Sequence, residues 1–350
     1  MLYPITLALL YSLVAGVMNG SFALPTKHIK TWRFEHIWLN YAFWAFLILP
    51  WLTVFSLNPE VIQVYAGMSA KTWFILLVGG FLFGAGQVCF ALALNFIGLA
   101  LGFIINIGLG TALGVLLPLL TLNPDKISSP AGITTLIGIS FIIIGLLISY
   151  RAGSQRDKAK QIAQTTSKGL AVKKSMYSLS VLLAILAGLF SAGQNYTFAL
   201  TGDMQQVALS AGADSLVASI IIWPPFLTCS FIPYAAYMFY LHHKNNSYGV
   251  YNPSNLLLNG FFGLVMGFFW FGSLAVYSKA SLLLGALGPI IAWPLFMALI
   301  ILTSNFWGWR HNEWKDCSHT IKRNALWSVV LLVVAVLVLA YSAYLSHLGV

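Results

Sequence analysis

Arg151-Ala152-Gly153-Ser154-Gln155-Arg156-Asp157-Lys158-Ala159-Lys160-Gln161, running on through Lys173-Lys174 to residue 177, is polar, basic and poor in aromatics. The chain around it is 59% hydrophobic and only 7% charged over 350 residues, against about 25% charged in a soluble domain. Such a stretch reads as a solvated tether. It divides the chain into a first unit, 1–151, a basic linker, 152–177, and a second unit, 178–350. Working outward, each unit holds five apolar runs: 4–24, 37–57, 72–95, 99–122 and 130–151, then 178–201, 214–240, 254–279, 281–305 and 324–346. Each supplies the stretch of about 20 apolar residues that crosses about 30 Å of hydrocarbon. The expected fold class is an all-α integral membrane protein with ten transmembrane helices.

The charges orient those helices. Of eighteen Lys and Arg residues, all but Lys71, Lys126 and Lys279 fall in the loops after odd-numbered helices or beside them. By the positive-inside rule those loops are cytoplasmic, and both termini face outward across the inner membrane. A net charge of +10 raises the question of nucleic acid, but the excess sits beside membrane segments. There, contact with anionic lipid head groups explains it, and no nucleic-acid partner is expected. Cys89, Cys229 and Cys317 form no CxxC pair and no disulfide framework. No basic residue precedes the first apolar segment, so a cleaved signal peptide is not expected.

The two units resemble each other. Leu13-Val14-Ala15-Gly16-Val17-Met18-Asn19-Gly20 aligns with Ile185-Leu186-Ala187-Gly188-Leu189-Phe190-Ser191-Ala192, and Gly84, Leu99, Leu101 and Gly102 align with Gly267, Leu282, Leu284 and Gly285. An odd number of helices per unit places the second copy upside down. That is the inverted-repeat plan of secondary transporters, with a midplane site between the halves.

Four stretches point to a family: Gly188-Leu189-Phe190-Ser191-Ala192-Gly193-Gln194-Asn195 with Ala211 to Leu216; Phe83-Gly84-Ala85-Gly86-Gln87; Leu99-Ala100-Leu101-Gly102; and Asn312-Glu313-Trp314-Lys315. In these, and in helix count and loop lengths over about 4–346, the chain resembles the L-rhamnose/proton symporter family of the drug/metabolite transporter superfamily. The resemblance implies a ten-helix carrier that imports a small sugar with a proton.

Polar groups in hydrocarbon are costly unless paired or facing a wet cavity, so each intramembrane amide is a candidate path residue. These are Asn19, Gln87, Asn106, Gln194 and Asn195. Amides suit a neutral polyol because they both donate and accept. Trp270, Ser273 and Tyr277 share one helical face by spacing, and a flat aromatic beside amides suits a pyranose. Under the repeat alignment Trp270 is the counterpart of Gln87. Trp293, between Pro289 and Pro294, is expected where the ninth helix is broken. The pair Pro224-Pro225 is expected to kink the seventh. A helix–helix hydrogen bond or plain packing is the alternative role for each of these residues.

All eight acidic residues and all seven histidines are expected in loops or at helix ends. The proton-coupling candidates are Asp203 and Asp214 at the outer mouth and Glu35 and Glu313 inside. Each is also readable as an ordinary loop charge. His242-His243 reads as a loop pair without acidic or cysteine company, so no metal and no cofactor is expected. There is no HExxH, GxSxG or Walker loop, and an enzyme is not expected. The fifth and tenth helices have few polar side chains, which suits a lipid-facing position or a homodimer contact.

The resulting expectation is a secondary carrier for a small neutral metabolite, a monosaccharide such as a deoxyhexose. The alternatives are an exporter or uncoupled facilitator of another metabolite and, from another class, a non-transporting structural or receptor subunit.

Overall fold

The computed structural model describes residues 3–58, 60–163, 174–251, 253–315 and 317–349. Within helices, the side chains at 3, 95, 96, 98–100, 103, 157–163, 174–177, 253 and 254 fall outside that description. Residues 164–173 of the basic stretch, Asp316 and the side chains of Asp157, Leu99 and Ala100 therefore lie outside the described residues.

Among the described residues there is no strand, and ten helical spans are long and apolar enough to cross a membrane. In chain order they are α1 (Pro4–His28), α2 (Phe34–Leu57), α3 (Ala70–Leu94), α4 (Ile104–Leu122), α5 (Pro130–Arg156), α6 (Ser178–Ser210), α7 (Ser215–Lys244), α8 (Asn255–Leu283), α9 (Gly285–Arg310) and α10 (His319–His347). The predicted segments match these spans in number and order.

Three boundaries differ for local reasons. The backbone stays helical from Ala70 to Leu122, so α3 and α4 form one path rather than two separated helices. That path turns sharply, because Gly102 lies beside Leu94 and Phe90, which a straight helix would hold about 12 Å and about 18 Å away. The segment assigned to the linker is helical through Ala163; its Ala, Gln, Lys and Arg residues are good helix formers that simply continue α5. The irregular point near α9 comes earlier than Trp293. A 3-10 turn at Gly285–Leu287, with Gly285 at φ +67°, precedes a helix that runs from Gly288 to Arg310 through Pro294.

Prolines shape the other spans. In α2 a π-helical turn, Phe43–Ile48, immediately precedes Pro50, a common way to absorb a ring that cannot continue the regular ladder. In α7 a short helix ends at Ile220, and Pro224-Pro225 open the long helix that starts at Trp223. Pro225 cannot donate to the carbonyl of Ile221, four residues back. The Tyr65 hydroxyl donates to that carbonyl instead, at 2.7 Å.

Glycines let helices from opposite halves meet backbone to backbone. Gly80 and Gly84 of α3 lie against Phe226 and Ser230 of α7, while Gly263 and Gly267 of α8 lie against Asn40 and Trp44 of α2. Gly16 and Gly20 of α1 meet Leu299 and Thr303 of α9, and Gly188 of α6 meets Leu109 of α4. An added Cβ at Gly84 would stand 2.1 Å from the Ser230 carbonyl oxygen. Helices α5 and α10 pack on each other through Gly138 against Leu339, with Thr135 bonded to Ser342 at 2.8 Å. Ile133, Ile137, Ile144, Leu147, Val333 and Leu337 point away from that seam.

Candidate functional site

The amides expected to line a path fall into two groups. One lies along α4 and α6, which run parallel. Gly188 touches the backbone oxygens of Ile105 and Asn106, Gly110 sits against Ser191, and Asn195 reaches Gly114. Within this seam Asn195 is fully buried and fully used. Its Nδ2 donates to the carbonyls of Gly114 at 2.8 Å and Pro289 at 2.9 Å, and its Oδ1 accepts from the Tyr277 hydroxyl. The Gly114 carbonyl needs this donor because Pro118, four residues on in α4, has no N–H to offer. Trp293 donates from Nε1 to Gly110 at 3.0 Å, and Tyr277 stacks on Phe296 with centroids 5.2 Å apart. Asn195, Tyr277 and Trp293 thus tie α4, α6, α8 and α9 into a knot.

Beside that knot the hydrogen-bonding capacity is left open. Gln194 Nε2, Asn106 Oδ1 and Thr111 Oγ1 are all buried without a partner. Buried polar atoms are paired in the great majority of cases, so each such atom calls for an explanation. One donor, one acceptor and one hydroxyl, carried by α4 and α6, are the group types a sugar hydroxyl needs. Thr111 was not singled out by sequence reasoning, since a threonine in an apolar helix usually bonds its own backbone.

The second group lies between α1 and α8. Asn19 donates to Ser273 at 2.8 Å, and Ser273 donates to the Trp270 carbonyl at 2.6 Å. Trp270 sits among Tyr41, Phe46 and Phe83, with its ring 5.1 Å from Phe46 and 6.4 Å from Phe83. Gln87, one turn beyond Phe83 along α3, is half-buried. Ser273 and Tyr277 are one turn apart on α8, so the two amide groups join through that helix.

At the end of the bundle away from the basic linker, a cavity of about 400 Å³ is lined by Tyr11, Asp214, Ser215, Leu216, Val276 and Lys279. It opens over α1 and α8, the two helices that carry Asn19 and Ser273 about two turns further in. Lys279 is held to the Ser215 hydroxyl.

A scan against protein-family models matches the chain over residues 1–350 to the family described as L-rhamnose-proton symport protein. The chain belongs to the L-rhamnose-proton symporter family. A relative in Yersinia pestis (strain Pestoides F), named L-rhamnose-proton symporter, is 26% identical over 353 residues, covering 99% of this chain and 98% of the relative. Another so named, in Pectobacterium atrosepticum, is 23% identical over 343 residues, covering 95% and 96%. A symporter-family chain with ten apolar spans is a multi-pass membrane transport protein and not an enzyme.

For a member of the L-rhamnose-proton symporter family the ionisable groups matter, and they sit in four different settings. Asp203 is exposed and accepts from the Thr72 hydroxyl at 2.5 Å. Asp214 is exposed and caps α7 by accepting from Leu216 N at 2.7 Å. Glu313 pairs with Arg156 at 2.9 Å. Glu35 is buried, at 2% exposure, in the first turn of α2. Two expectations need correcting here. His242 is not an isolated loop residue but lies, fully buried, in the last helical turn of α7. Glu35 and His36 are its company, with potential ligand atoms of the three residues within 4.8 Å of one another. His36, at a helix end as expected, is fully buried as well. The cluster escaped sequence reading because His242 lies more than 200 residues from Glu35 and His36, with no spacing rule connecting them.

Proposed function

We propose that this chain imports a small neutral polyhydroxylated sugar, L-rhamnose or a close relative, across the inner membrane together with a proton. The observation that carries the substrate class is the set of unpartnered groups at Gln194, Asn106 and Thr111. They are neutral, they offer both donors and an acceptor, and they are buried on α4 of the first half and α6 of the second. An ionic solute would leave its charge uncompensated there. The names borne by the relatives point the same way.

Alternating access follows if the halves are inverted repeats. Supporting this reading, contacts recur in pairs: α3 on α7 and α8 on α2, α1 on α9 and α6 on α4. Gly84 and Gly267, aligned in sequence, occupy corresponding places in the first of these pairs. In this scheme the basic end faces the cytoplasm, both termini lie outside, and the outer faces of α5 and α10 meet lipid. Sugar then enters through the cavity headed by Tyr11, Asp214 and Lys279 and descends to the amide seam. Asp214, the acidic residue lining that cavity, takes the coupling proton. No acidic, basic or histidine side chain among the described residues is found in the amide seam itself, which favours an uncoupled facilitator as the second reading.

Thermal unfolding of the purified protein over a panel of sugars tests the substrate class. A ligand of the native state raises its apparent stability by mass action. L-Rhamnose should raise the midpoint for the wild type and lose that effect in Gln194→Ala. A shift caused only by charged solutes would contradict the assignment.

A further inference from the structure

The cluster at the basic end of the bundle has features that sugar transport does not call on. His36 Nε2 lies 2.9 Å from the Ser247 carbonyl. A carbonyl only accepts, so Nε2 carries the proton and Nδ1 carries the lone pair of the neutral ring. That lone pair is buried and has no partner. The His36 ring packs edge-on against His242, centroids 4.5 Å apart, and the Glu35 carboxylate completes a three-residue set whose donor atoms lie within 4.8 Å of one another. All three residues are buried. Two imidazoles and a carboxylate are the ligand types that divalent transition metals, zinc above all, select over oxygen-rich sites.

From this geometry we propose that Glu35, His36 and His242 bind a divalent transition-metal ion of the zinc class. His36 presents Nδ1 and is already oriented as a metal ligand commonly is, with its other nitrogen donating to a backbone carbonyl. His242 is held through Nδ1 by the Ser247 hydroxyl at 3.0 Å and presents Nε2, which faces the Tyr251 hydroxyl at a long 3.2 Å. Glu35 is steadied by Asn245 at 3.2 Å. Side-chain rotations of about 1 Å close the set to bonding distances of about 2.0–2.2 Å. Trp32, whose ring is 6.1 Å from that of His36, buries an indole N–H without an acceptor. A water or hydroxide completing the shell would give that N–H its partner. A cavity of about 380 Å³ that includes Trp32, Asn40 and Tyr251 in its lining gives the ion an approach.

The occupied site staples the start of α2, in the first half, to the end of α7 and the turn after it, in the second. Arg33 already reaches across the same junction to the Asn245 carbonyl at 3.2 Å. In this assignment Glu35 is a metal ligand, and the coupling proton is left to Asp214. The site does not depend on the identity of the sugar.

The test uses the full-length, tag-free protein in detergent, stripped of metal and titrated with Co²⁺ and Zn²⁺. The expected result is one ion per chain, a tetrahedral Co²⁺ absorption spectrum, and a rise in unfolding temperature with Zn²⁺. Glu35→Gln and His36→Ala should each weaken binding at least about tenfold. A chain carrying His243→Ala, His311→Ala and His319→Ala, which removes three of the five exposed histidines, should bind as the wild type does. A wild type without the tetrahedral spectrum overturns the site, as does binding that disappears with the three exposed histidines. If His36→Ala fails to fold, stoichiometry and spectrum in the chain lacking those three histidines decide the matter alone.

Discussion

Replacing Asn195 by alanine removes three hydrogen bonds at one stroke. The Gly114 and Pro289 carbonyls lose their donor, and the Tyr277 hydroxyl loses its acceptor. In a membrane interior each such bond contributes about 0.6 kcal/mol on average and up to about 1.7 kcal/mol, so the variant should be destabilised by about 2–5 kcal/mol. The Gly114 carbonyl is the informative member, because Pro118 has removed its normal helical partner. Pro118→Ala supplies an N–H at that place. In the Asn195→Ala background it should restore part of the loss, so that the two changes together cost less than the sum of the single effects. The assay is a double-mutant cycle of unfolding free energies in mixed micelles, where contacting residues show coupling of about 0.5–3 kcal/mol. Strict additivity, or an Asn195→Ala protein within about 0.5 kcal/mol of the wild type, would refute the idea that this amide stands in for a missing backbone donor.

Three further outcomes follow from the packing and the open groups. Gln194→Ala and Asn106→Leu remove atoms that have no partner, so unfolding temperatures should hold or rise while the apparent affinity for sugar falls by about tenfold or more; a large loss of stability would show that those atoms are paired. Gly84→Ala places a methyl group against the Ser230 carbonyl and should abolish uptake in proteoliposomes, with Gly267→Ala behaving alike; full activity in both would mean that the α3–α7 and α8–α2 contacts tolerate separation. Asp214→Asn keeps a helix cap but cannot titrate, so sugar uptake should persist while its response to a pH gradient disappears; an unchanged response moves the coupling proton elsewhere.

The ten spans were legible in the sequence because hydrocarbon imposes a length and a composition on any helix that crosses it. Glycine placement was legible too, in that Gly84 and Gly267 align in the sequence and make corresponding contacts. Side-chain partners were not. Asn195 and Gln194 are neighbours of the same type in the same helix, yet one is fully bonded and the other keeps an open donor. What separates them is which helix each faces, and periodicity alone does not give that. The ring layer that Trp270 joins was not legible either, since α2 contributes Tyr41 and Phe46 to it. Glu35, His36 and His242 became a unit only when α2 and α7 were brought side by side.

Coupling is the claim on which the functional account rests most heavily, and flux in sealed vesicles reads it directly. Purified protein in proteoliposomes with an alkaline interior should concentrate L-rhamnose above its external level, and a protonophore should abolish that accumulation. Equilibration to equal concentrations at the same rate with and without the gradient would contradict symport.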